Sequence, residues 1–109
     1  MTTNTQPLVI AGSTVKTDEE GRYCLNDLHK AAGEDQKHRP KYWLGNEGTK
    51  ALIAELEKGG IPPVSVKAGR NGGTFVVREL VYAYAMWISP KLHLEVIRAY
   101  DHFFFFGVL

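Results

Sequence analysis

The sequence predicts an α+β domain: several helices, a small antiparallel sheet and one projecting β-hairpin. Three observations lead there. Helix start and stop signals are spaced along the chain at Asn26, Gly33, Pro40 and Ser89-Pro90. Two short apolar runs, Val64–Ala68 and Thr74–Val77, flank a glycine-rich stretch. The 109 residues are 44% hydrophobic and 23% charged, which suits one domain with one core and argues against whole-chain disorder.

Residues 1–7 are polar and expected to fray. Leu8–Ala11 reads as a strand, and Arg22–Leu25 as another after the turn "DEEG", where Gly21 supplies a positive φ. Asn26 reads as an N-cap, because its side-chain oxygen can accept from free backbone N–H groups. A helix then spans Asp27–Ala32, with Asp27 at the positive end of the dipole and Gly33 as its stop. The next helix begins at Pro40, tolerated at a first helical position, and carries Tyr42, Trp43 and Leu44. Gly45 and Gly48 predict a break. A third helix covers Thr49–Lys58, with Leu52, Ile53 and Leu56 on one apolar face, and ends at Gly59-Gly60 and Pro62-Pro63.

Asn71-Gly72 is the preferred pair for a two-residue type I′ turn. That turn sets Arg70 opposite Gly73, Ala68 opposite Phe75 and Val66 opposite Val77. Val66, Ala68, Phe75 and Val77 then share a dry face; Ser65, Lys67 and Thr74 share a wet one, with Val76 the exception. After the hairpin, a helix runs from Arg78 or Glu79 to Ile88, with Leu80, Tyr84, Trp87 and Ile88 on one face. Ser89 and Pro90 open the last helix. The four consecutive Phe at 103–106 fit neither helical nor strand amphipathicity. Residues 103–109 are therefore set apart as an atypical tail from a domain over 8–102. Helices, then a basic hairpin, then more helix give a winged-helix-like outline. In such domains one helix enters the major groove and basic groups grip phosphates.

Several function classes are excluded. "GRNGGT" has no Lys before Thr74 and leads into a strand, so it fails as a P-loop; the dinucleotide pattern fails too. His29, His38, His93 and His102 form no i, i+4 pair, which argues against a metal site. No Ser or Cys sits in a nucleophile motif, and the carboxylates of "DEE" read as a solvated turn. The expectation is a non-enzyme without cofactor. The single Cys24 excludes an internal disulfide, reads as a small buried side chain and fits a reducing cytosol. The N-terminus has no signal-peptide pattern, and no apolar run approaches the roughly 20 residues that span a bilayer. A cytoplasmic protein is expected.

Net charge is only +1, but charge is segregated. Asp18–Asp35 is mainly acidic, whereas Lys37–Lys41 and Val64–Arg78 contain basic residues and no acidic one. A basic face can steer a polyanion even when total charge is near zero.

Three segments carry a resemblance. "GRYCLNDLHKAAG", "YWLGNEGTKALIAEL" and "NGGTFVVRELVYAYAMWISPKLHLEV" resemble the opening, central and closing segments of the KilA-N domain, over about Val9 to Tyr100. That family occurs in phages, bacteria and large DNA viruses and resembles the fungal APSES DNA-binding domain. The resemblance implies a compact winged-helix-like module that binds double-stranded DNA, often at the N-terminal end of an antirepressor-like or regulatory protein. The sequence departs from the family pattern at Pro40, where an aromatic is usual, and at Gly45, where a basic residue is common.

The expected DNA contacts fall in two groups. Lys37, His38, Arg39, Lys41, Tyr42, Asn46 and Lys50 surround the helix after Gly33. Lys67, Arg70, Asn71, Gly72 and Thr74 lie on the hairpin. Lysine and arginine suit phosphates, and each neutralised phosphate makes binding more salt-dependent. Asn46 has the groups to read an adenine edge, with capping or loop bracing as its structural alternative. Trp43, Phe75 and Trp87 are expected in the core. The other function class is a protein-interaction module that binds a repressor or another phage or host protein without touching DNA.

Overall fold

A computed structural model describes the backbone of residues 8–10 and 13–107 and the side chains of 14–101. The elements run β1 (Leu8–Ile10), β2 (Ser13–Val15), β3 (Tyr23–Cys24), α1 (Leu25–Ala31), a 3-10 turn at Gln36–His38, α2 (Pro40–Leu44), α3 (Glu47–Glu57), β4 (Val64–Lys67), β5 (Gly73–Val76), α4 (Arg78–Ile88) and α5 (Pro90–Gly107). β1 and β2 pair with each other, and β3, β5 and β4 form an antiparallel sheet with β5 in the centre. The expected α+β class is the one found. The fraying expected for residues 1–7 lies outside the described residues. The α5 backbone passes through the Phe-rich stretch to Gly107.

One core joins these elements. Leu25 and Leu28 of α1, Trp43 of α2, Phe75 and Val76 of β5, and Leu80, Val81 and Tyr84 of α4 are buried together with Val15, Tyr23 and Cys24. Trp87, expected in this core, packs against it half-buried. Of the apolar face expected on α3, Ile53 and Leu56 pack on the core, whereas Leu52 remains 39% exposed.

The start and stop signals work locally. The Gly33 N–H donates to the Lys30 carbonyl at 3.2 Å and the Glu34 N–H to the His29 carbonyl at 2.9 Å, with Gly33 at φ +107°. These paired bonds close the end of α1 as a Schellman motif. Pro40 opens α2, and Gly45 ends it. Gly48, expected in the break, instead lies inside α3, whose N-cap position is Asn46.

Asn26 departs from its expected role. α1 begins at Leu25, so Asn26 sits in the first turn and caps nothing. Its Oδ1 instead accepts the Thr74 N–H at 2.8 Å. β3 ends at Cys24, opposite Phe75, one residue short of facing Thr74. The Asn26 amide therefore supplies the acceptor that a longer β3 would have offered to β5. Asn26→Ala leaves this part-buried N–H without its acceptor, and the expected cost is about 1–3 kcal/mol by urea denaturation.

The hairpin also differs from expectation. Its register is Val64↔Val76, Ser65↔Phe75, Val66↔Thr74 and Lys67↔Gly73, so Lys67, not Arg70, faces Gly73. The loop is Ala68–Gly72, closed by the Gly72 N–H donating to the Gly69 carbonyl at 3.1 Å. Positive φ falls on Gly69 (+99°) and Gly73 (+147°), not on the Asn71-Gly72 pair that a type I′ turn requires. The odd displacement moves Val66 off the dry face, where it is 69% exposed. The reason lies in β5. Phe75 and Val76 are adjacent, point to opposite faces and are both buried. A central strand covered on both faces does not select its register by alternation.

Candidate nucleic-acid interface

Two elements carry most of the expected contacts, and each is braced from behind; Asn46 and Lys50 lie outside them, at the N-cap position of α3 and within it. Gln36–Tyr42 forms the first. Asp35 caps the 3-10 turn, its Oδ1 accepting the Lys37 N–H at 3.1 Å. Pro40 and Trp43 bury one side of α2, and the Trp43 ring meets Tyr84 edge-on at 5.4 Å. The Tyr84 hydroxyl donates to the His38 carbonyl, and the His38 ring stands edge-on to Trp87 at 5.4 Å. Burial pushes the Tyr84 phenol pKa up, so the donor keeps its proton across the physiological range. Helix α4 thus holds this segment through His38 and Trp43, while Lys37, Arg39, Lys41 and Tyr42 remain exposed. His38 is half-buried and braces the segment rather than projecting from it.

The hairpin forms the second element. Arg70 and Asn71 are exposed at its tip. A Cβ on Gly72 would lie 2.1 Å from the Lys67 carbonyl oxygen, and one on Gly73 would lie 2.8 Å from Asn26 Oδ1. Both glycines therefore shape the loop by steric necessity. Thr74 is buried, at 8% exposure, so its side chain lies behind the surface.

Asp18 holds the base of this hairpin. Its carboxylate, 1% exposed, contacts Arg22 Nε at 2.8 Å and Lys67 Nζ at 3.8 Å. The same Arg22 donates to the Pro62 carbonyl at 2.9 Å, just before β4. Lys67 also lies over the Phe75 ring, 5.1 Å from its centroid. The "DEE" carboxylates were expected to be solvated; Asp18 is instead a buried tie between the turn and the hairpin. Neither composition nor local spacing marks that role, because Asp18 and Lys67 meet only through the fold.

Burial alone would raise the Asp18 pKa. Hydrogen bonds from the Arg22 N–H and guanidinium and from the Glu20 N–H outweigh it and hold the carboxyl below the usual range. A lowered native pKa gives stability that is complete above the unfolded carboxyl pKa of about 4 and is lost as pH falls through the native value. Asp18→Asn is expected to lower the melting temperature at neutral pH. Relative to wild type, the variant loses less stability between neutral pH and about pH 3.

The expected cations are not equivalent. Lys37 lies 4.0 Å from Asp35, Lys50 3.6 Å from Glu47, and Lys67 3.8 Å from Asp18. Arg39, Lys41 and Arg70 are exposed, and their side chains make no ion pair among the described residues. Lys67 and Asn71 share a shallow cleft with Lys16, Asp18 and Glu19, where the charge is mixed. Asn46 lies elsewhere, on an open groove with Trp43, Leu52, Met86 and Trp87. Its side chain makes no cap bond to α3.

The KilA-N domain profile matches residues 7–104. The chain belongs to the KilA-N domain family. This KilA-N domain is also 45% identical over 89 residues to protein kilA of Escherichia phage P1. That match covers 81% of the chain and 34% of the relative, so the chain spans about a third of the phage protein's length. No solved structure matches the chain significantly. In this KilA-N domain the "NGGT" segment has a physical reading. Asn71 sits at the exposed tip, Gly72 clears the Lys67 and Ala68 backbone, Gly73 clears Asn26, and the Thr74 amide docks on α1.

Proposed function

We propose that the domain binds double-stranded DNA, with the Gln36–Tyr42 segment against one groove and the Lys67–Thr74 hairpin along the adjacent backbone as a wing. The observation that carries this reading is the placement of the uncommitted cations. Arg39, Lys41 and Arg70 stand exposed on two separately braced elements, while neighbouring lysines sit beside carboxylates. Arginine suits this task, since its fork of donors matches phosphate oxygens and cannot lose its charge near neutral pH. Family membership supports the same reading. In this view the domain is the DNA-gripping part of a phage or bacterial regulatory protein acting in the host cytoplasm.

The test is an anisotropy titration with a labelled duplex at several salt concentrations. Affinity is expected to fall as salt rises. Arg39→Ala/Arg70→Ala should bind more weakly, with the log–log salt slope reduced by about 1 for each contact removed. Both side chains are exposed, so the melting temperature should not move. Unchanged affinity in the double variant overturns the two-element mechanism.

The groove of about 450 Å³ bounded by Trp43, Leu52, Met86 and Trp87 favours a second reading, a surface for a repressor or another protein. Without DNA contact, that reading expects no duplex binding even at low salt.

A further inference from the structure

A cavity of about 210 Å³ lies between α4, the first turns of α5 and the Tyr23 ring. Val81, Ala85, Met86, Leu92 and Val96 give it an apolar wall. Tyr23 and Val81 are buried and form the floor, whereas the lining residues Arg78 and Tyr82 are exposed and mark the open side. The Arg78 guanidinium is held in place there. It donates to the Tyr23 hydroxyl at 2.9 Å, with its central carbon 5.7 Å from the Tyr23 ring centroid. The Tyr82 side chain is a second hydrogen-bond partner of this guanidinium, and with five N–H donors the group still has others to offer. An apolar cavity of about 150 Å³ is enough to take benzene, and this one is larger.

We propose that this cavity binds a small monocarboxylate with an apolar body, the body seated among Val81, Ala85, Met86, Leu92 and Val96 and the carboxylate on Arg78. The apolar body leaves water for a hydrocarbon wall. The carboxylate accepts charge-assisted hydrogen bonds at the solvent edge, where it need not be fully desolvated. A neutral molecule of the same shape gains the first effect and lacks the second. None of the lining residues belongs to the proposed DNA interface, so the two readings stand or fall separately.

The test is an NMR titration of the full chain with phenylacetate and, as its neutral counterpart, benzyl alcohol. Phenylacetate should give saturable shifts at the Val81, Met86, Leu92 and Val96 methyls and bind about tenfold tighter than benzyl alcohol. Arg78→Gln, at an exposed position, should abolish that preference and leave benzyl alcohol binding unchanged. Ala85→Phe should fill the cavity and weaken both. Absence of saturable shifts, shifts centred on other residues, or an Arg78→Gln variant that keeps its preference for phenylacetate would each overturn the proposal.

Discussion

Trp43→Ala is expected to cost about 3–5 kcal/mol, the range for removing a buried aromatic side chain. Trp43 is 2% exposed and meets Tyr84 edge-on at 5.4 Å with the rings inclined at 74°. Small domains have only about 5–15 kcal/mol of net stability, so the loss takes much of the total. The effect reaches the proposed interface although Trp43 is not on it. Trp43 presses α2 onto α4, and α2 carries Lys41 and Tyr42 just after Arg39. Chemical denaturation should show the lower midpoint, and duplex affinity should fall with it. A loss below about 1 kcal/mol would mean that the core closes without this ring.

The second large effect is expected from Gly72→Ala. A methyl group there would sit 2.1 Å from the Lys67 carbonyl oxygen and 2.8 Å from the Ala68 carbonyl group. Those atoms are backbone, so no rotamer change relieves the clash. The loop must move, at a cost comparable to overpacking, roughly 1–3 kcal/mol or more. Arg70 and Asn71 sit on that loop and would be re-aimed. Amide shifts should concentrate in residues 64–76, and duplex affinity should drop more than the stability change alone explains. A variant with the wild-type spectrum and affinity would show that the loop has room to spare.

The readable parts of the sequence were those governed by near neighbours. Pro40, Gly33 and Ser89-Pro90 mark helix ends through local backbone rules, and each marks one in the structure. The sheet and its hairpin were readable as elements for the same reason. The register was not. Asn71-Gly72 suggests a tight turn, yet Gly69 and Gly73 compete for the positive-φ positions, and packing on both faces of β5 decides between them.

Asn26 shows the same override. A capping residue and a strand-terminating acceptor look identical until Thr74 is brought alongside. In the candidate site, the Lys37–Asp35 and Lys50–Glu47 pairs lie within local reach. The Lys67–Asp18 pair does not, which is why Lys67 looked as available as Arg70.

The bond from Thr74 to Asn26 also bears on how the domain breathes. Most strand amides are shielded from deuterium exchange by a neighbouring strand; this one is shielded by a helix side chain. Its exchange therefore follows the opening of α1 rather than the unzipping of β5. The bond ties the hairpin root to the start of α1, and the two are expected to open as one unit in hydrogen exchange. A disturbance in the first turn of α1 would be felt at the hairpin without any change in the hairpin's own sequence.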